Sequence, residues 1–151
     1  MKKFSFILIL FSLGASQLLA QARTSFDFKV TIVSGFHKGK VFEGSFSTPE
    51  PASSGEHTLE VKQITFTCMG KTYRENDFDA RPKARFVNGQ FKDLYFTGGP
   101  QNQRFGLNQG VGRQQFQRAS EAFVRNGESY FGYLDQNTYV EGVGLIKYNP
   151  N

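Results

Sequence analysis

The sequence predicts a mainly β protein: an antiparallel β-sandwich or small closed barrel of about eight strands, with one short helix near residues 118–126. Three observations carry this expectation. The chain of 151 residues holds 17 Phe and no Trp, and Leu is sparse beyond the first segment, a composition that suits strands better than helices. Apolar and polar residues alternate with a period of two in several short runs. Gly, Pro and Asn-Gly punctuate those runs at short intervals.

Each element follows from its own pattern. In 25–33, Phe26, Phe28, Val30 and Ile32 fall on one face and Asp27, Lys29 and Thr31 on the other, which makes a strand with one wet side. Ser34 to Gly39 reads as a turn, and 40–47 places Phe42, Gly44 and Phe46 on one face, so the first two strands form a hairpin. Thr48 to His57, with Pro49, Pro51 and Gly55, reads as an exposed loop. Thr58 to Cys68 reads as one strand whose phase slips: Leu59 and Val61 share one parity, and Ile64, Phe66 and Cys68 the other. A β-bulge at Lys62 and Gln63 reconciles them.

Met69-Gly70 turns the chain into 71–75, and 76–83 reads as a polar loop with Pro82. Asn88-Gly89 supplies the positive φ angles of a type I′ turn between 84–87 and 90–96. A further short strand fits 104–107. The spacing of Phe116, Ala119, Phe123 and Val124 gives the helix face. Residues 128–134 and 138–148 form a closing hairpin, in which Gly142 and Gly144 permit close backbone approach.

The N-terminus reads as a signal peptide over 1–22. Lys2 and Lys3 precede an apolar run from Phe4 to Leu13, and Ala20-Gln21-Ala22 fits a small-x-small cleavage site, so the single exported domain is 23–151. A retained anchor is the alternative reading of this segment. Its apolar core is short for a membrane span, and no second such run follows. Cleavage takes the formal charge from +5 to +3 by removing two lysines, so the pI of 9.4 overstates the basicity of the processed chain. Its cations are scattered rather than striped, which argues against a nucleic-acid partner. An outer-membrane barrel fits poorly, because Asp27, Lys29, Glu60 and Lys62 occupy outward positions where lipid would lie.

Chemistry-bearing residues are few. Cys68 is the sole cysteine, on the parity of Ile64 and Phe66, and reads as a small core residue. His37 and His57 are the two histidines, both in turn or loop contexts, and read as solvated. Neither a nucleophile elbow nor a paired-Cys or HExxH spacing occurs. Gly106, Gly110 and Gly112 do not have phosphate-cradle spacing. Glu75, Asp77 and Asp79 form a candidate Ca²⁺ site because alternating oxygens in a loop suit a hard cation, although Arg74 and Arg81 compete for them. Tyr130, Tyr133 and Tyr139 are candidate ligand-binding residues, since exposed tyrosines stack on sugar rings. No organic cofactor is implied.

The runs F-E-G-S-F-S (42–47), I-T-F-T-C-M-G-K-T-Y (64–73) and F-V-N-G-Q-F (86–91) resemble short exported β proteins common in cyanobacteria. So, more particularly, do S-E-A-F-V-R-N-G-E-S-Y-F-G-Y-L (120–134) and Y-V-E-G-V-G-L-I-K-Y (139–148). The likeness spans nearly all of 23–151. It implies export and an all-β domain, and no assigned activity. Some proteins of this kind end in a Pro-Glu-Pro sorting signal with an apolar tail. This chain ends in Tyr148-Asn149-Pro150-Asn151, which implies a soluble product.

The expectation is therefore a secreted or periplasmic β domain that acts by binding or as an envelope-associated structural module. Its partner would be an envelope component or a glycan. The alternatives are a barrel-type carrier of a small apolar ligand, and a hydrolase drawing on His37, His57 and the acids at 75–79. N-terminal sequencing of the exported product should return Arg23-Thr24-Ser25; a start at Met1 would overturn the signal-peptide reading.

Overall fold

The computed structural model describes residues 23–108, 129–135 and 140–150. Ten strands lie among them: β1 (Arg23–Ile32), β2 (Val41–Pro49), β3 (Glu56–Glu60), β4 (Gln63–Cys68), β5 (Lys71–Arg74), β6 (Lys83–Val87), β7 (Gln90–Gly98), β8 (Gln103–Leu107), β9 (Tyr130–Asp135) and β10 (Val140–Pro150). They form one antiparallel sheet in the order β3-β6-β7-β8-β9-β10-β1-β2-β4-β5, curled into a half-barrel. The expected mainly β class is therefore present. The described residues give ten strands in this curled sheet and do not by themselves make the expected eight-stranded sandwich or closed barrel, and the helix expected near 118–126 falls outside the described residues.

The strand count rises because the phase slip after Glu60 is a strand boundary, not a bulge. β3 pairs with β6 at one edge of the sheet, while β4 pairs with β2 near the other. Only Val61 and Lys62 separate them. Val61 N–H donates to Pro82 O at 2.9 Å and Lys62 N–H to Ser47 O at 2.8 Å, so this link stitches the two ends of the curl. Val61 is fully buried there. A second stitch joins the β5 side to β7, where Phe78 bridges Gly98 and Asp79 N–H donates to Thr97 O at 3.0 Å.

The hairpins follow their turn chemistry. Asn88 and Gly89 have φ of 50° and 75°, as a type I′ turn requires, and Met69-Gly70 makes the same kind of turn at 50° and 80°. β1 pairs with β2 along nine positions, from Arg23↔Pro49 to Thr31↔Val41.

The concave face is filled by rings. Phe66 sits at its centre, with ring centroids of Phe28, Phe96, Phe131 and Phe105 at 5.4, 5.5, 5.6 and 5.8 Å. Phe28, Phe66, Phe105 and Phe131 are wholly buried, and each removes enough area from water to contribute roughly 1.5–3 kcal/mol. Glycine gives the rings room. Gly44 lies between Phe28 and Phe66 in the register, and a Cβ there would strike the Phe28 ring and come within 2.7 Å of Thr65 O. On β10 a Cβ at Gly142 would run into the Tyr133 ring, and one at Gly144 would sit 2.6 Å from Val30 Cγ1, so the close approach expected at both glycines is present.

Two substitutions test this packing by urea denaturation. Phe66→Ala should cost about 3–5 kcal/mol, and Gly44→Ala about 1–3 kcal/mol through overpacking. A near-neutral Phe66→Ala would mean that the ring cluster is not the stabilising centre.

Candidate functional site

The outer face of β1, β2, β4 and β5 carries the complement of the aromatic core. Because side chains alternate along each strand, every buried Phe leaves a polar neighbour pointing out. Registered pairing aligns these neighbours in rows across the sheet. One row is Ser25–Ser47–Gln63, the next Asp27–Ser45–Thr65–Arg74, and the third Lys29–Glu43–Thr67–Thr72.

The first two rows line an open groove of about 450 Å³, closed at one side by Glu75 beyond β5. Its floor is a set of hydroxyls. Ser45 Oγ and Thr65 Oγ1 are 3.0 Å apart and share a hydrogen bond. Ser47 is only 7% exposed, and its hydroxyl has no hydrogen-bond partner. Arg23 Nη1 reaches Gln63 Oε1 at 3.5 Å at the groove's end. The rim residues Asp27, Gln63 and Arg74 are exposed. In the third row the outer side is tied off, with Lys29 Nζ paired to Glu43 at 2.7 Å and the Thr67 and Thr72 hydroxyls 2.8 Å apart. The groove thus offers planar carboxylate, amide and guanidinium groups over a hydroxyl floor, with cations and anions nearly in balance. Such a surface suits a polar, uncharged, hydroxyl-rich ligand read by hydrogen bonds.

The residues singled out by sequence lie elsewhere or are occupied. Glu75, Asp77 and Asp79 part ways. Phe78 turns inward to bridge Gly98, Asp77 Oδ2 accepts from Arg74 N–H at 2.8 Å, and Asp79 is clamped by Arg104, with Nη1 donating to Oδ1 at 2.9 Å. Among the described residues no three His, Cys, Asp or Glu side chains come together as a metal site. Tyr130 and Tyr133 are buried, at 4% and 0% exposure, so neither offers a ring face to a sugar, and Tyr139 lies outside the described residues.

His37 is buried too, contrary to the solvated reading. Its backbone N–H donates to Tyr133 Oη at 2.9 Å, and its ring packs against Tyr133 and Phe42 with centroids at 5.2 and 5.9 Å. A turn was expected here and is present, but it folds back onto the end of the core. His57 stands on edge strand β3, with Nε2 2.6 Å from Ser54 O. The two histidines and the acids at 75–79 therefore do not assemble into one constellation. Cys68 is 1% exposed, and burial pushes its thiol well above the ordinary range, which makes it the inert core residue that its parity implied. Gly106 lies within β8, away from any phosphate-cradle geometry.

Sequence reasoning missed the groove because its residues come from four strands and no run of them is contiguous. The signal was present as the second half of the alternation: the S-x-S of β2 and the T-x-T of β4, whose inward partners are Phe46 and Phe66. It also missed a fastening cluster on β3, β6 and β7, where Arg85 Nη2 pairs with Asp93 at 2.5 Å and Arg85 Nη1 reaches Glu56 at 3.4 Å.

The fold and groove together define a β half-barrel with a polar outer face. Comparisons with protein-family models, with curated proteins and with solved structures find no match to the chain.

The Arg104 clamp holds the Asp79 carboxyl below its ordinary pKa of 3.8. Its contribution to stability is therefore present above that value and is lost as the pH falls through the lower, folded one. Asp79→Asn should lower the melting temperature slightly at neutral pH, with wild type and variant converging once the pH has fallen below the lowered, folded pKa of Asp79. Curves that stay parallel to that pH would show that the clamp is not coupled to folding.

Proposed function

We propose that the protein is a non-catalytic binding module of the secreted or periplasmic space, which takes a neutral, hydroxyl-rich polymer such as an envelope glycan along the groove of β1, β2, β4 and β5. The observation that carries this reading is the groove itself: Asp27, Gln63, Arg74 and Glu75 rim a floor of Ser25, Ser45, Ser47 and Thr65. Vicinal hydroxyls on a sugar match bidentate carboxylate, amide and guanidinium groups. The signal-peptide reading and the resemblance to short exported β proteins agree with this setting.

The ring-filled concave face favours a binding surface over a barrel-type carrier. A carrier needs room for its ligand inside, whereas here Phe28, Phe66, Phe96, Phe105 and Phe131 occupy that space. A hydrolase reading has less support, since its histidines and acids are dispersed.

Affinity electrophoresis against neutral polysaccharides tests the proposal. The processed chain should be retarded by at least one of them, and Asp27→Ala with Arg74→Ala should weaken that retardation at least tenfold, about 1.4 kcal/mol. Both side chains are exposed, so the melting temperature should barely move. Retardation unaffected by the double substitution would remove the groove from the account.

A further inference from the structure

One end of the half-barrel gathers every exposed large apolar side chain among the described residues. Phe36, Val41, Leu145 and Val33 are 65%, 51%, 38% and 37% exposed. Leu145 and Val41 flank Thr31 from either side in one cross-strand row on the outer face. Val33 follows two residues on from Thr31, held by its N–H on Val143 O at 2.8 Å. Phe36 stands at the apex of the β1–β2 turn.

The turn that presents Phe36 is pinned. Gly39 N–H donates to Ile32 O and Ile32 N–H to Lys40 O, both at 2.9 Å, while Lys38 N–H donates to Gly35 O at 3.1 Å. Beneath the turn, Tyr133 Oη accepts from His37 N–H at 2.9 Å and donates to Ser34 O at 3.2 Å. Val143 N–H reaches Ser34 Oγ at 3.0 Å. The buried His37 is thus the foot of the turn, and the largely exposed phenyl ring beside it is held outward by a fixed backbone.

Among the described side chains, the unpaired charge around this apex is positive. Lys38 and Lys40 belong to the same turn, and Lys71 opens β5 beside the neighbouring Met69-Gly70 turn. Lys40 Nζ lies 3.2 Å from His37 Nδ1 and 6.0 Å above the Phe36 ring, and Lys71 Nζ lies 4.9 Å from the Tyr73 ring. No described carboxylate forms an ion pair with any of the three lysines. The nearby Glu43 is paired to Lys29, and Asp79 to Arg104.

We propose that this end docks on an anionic phospholipid surface, with Phe36 inserted among the acyl chains just below the headgroups and Lys38, Lys40 and Lys71 on the phosphates. A second copy of the chain would bring the same lysines face to face, which like-charge repulsion opposes. A bilayer surface supplies negative charge and an apolar layer at adjoining depths, in the order in which lysine heads and a phenyl ring meet it. The site is independent of the groove, and variants of the groove should dock unchanged.

The chain has no Trp, so Phe36→Trp installs a single tryptophan at the apex, whose emission is excited selectively over that of the six tyrosines. The processed chain carrying it, purified after export and checked for native circular dichroism, would be titrated with two kinds of vesicle: phosphatidylcholine alone, and phosphatidylcholine mixed with phosphatidylglycerol. The expected result is a blue shift with the mixed vesicles only, reversed by salt. In flotation assays of the otherwise native chain, Phe36→Ser and Lys38→Glu with Lys40→Glu should each reduce binding to mixed vesicles at least tenfold. Unshifted emission with mixed vesicles overturns the proposal. So does a shift that grows with protein concentration in the absence of lipid, which would assign the patch to self-association, and so does flotation insensitive to these substitutions.

Discussion

The rest of this structure depends on how phenylalanine rings are accommodated between strands that lie less than a ring's width apart. Phe28 can lie flat against β2 only because residue 44 has no side chain, and the space it gains places it 5.4 Å from Phe66. The same device recurs on β10, where Gly142 receives the Tyr133 ring and Gly144 receives Val30 and Ile32. Glycine in a strand interior ordinarily weakens it. Here that loss is offset by a ring that buries its whole area, and the curl of the sheet follows from rings stacked on one face and hydroxyls on the other.

That division of labour makes one face inert and the other available. The concave side is filled by rings around Phe66, so the surfaces open to a partner are the convex side and the ends. On the convex side, short hydroxyl side chains over β2 and β4 leave a trough, and the longer residues of β1 and β5 stand around it. The turn at the end of β1 is a different surface altogether, apolar and cationic, and it is fixed to the core through His37 and Tyr133. The two surfaces owe their character to the same alternation but share no side chain.

Much of this was legible in the sequence. The alternation over 25–33 gave the faces of β1 correctly, and the Asn88-Gly89 pair marked its hairpin to the residue. Cys68 and the two strand glycines also behaved as their positions implied. Three things were not legible, each for a physical reason. The break at Val61-Lys62 mimics a bulge, because both produce the same parity slip, and only long-range pairing tells them apart. His37 looked wet because a turn is usually exposed, yet a tyrosine nearly a hundred positions later covers it. The groove was invisible because neighbours in a sheet row are distant in the chain, and single Ser and Thr residues carry no motif.

The order of the strands has a consequence for life at high concentration. The outermost strands are β3 and β5, of five and four residues, and both are studded with charge: Glu56 and Glu60 on one, Lys71 and Arg74 on the other. A sheet rim offers open backbone donors and acceptors to any passing strand, and short, charged rims discourage that addition. A chain so rich in phenylalanine would otherwise be prone to stack with its own kind. Its least sticky segments stand guard at the two places where such growth would begin.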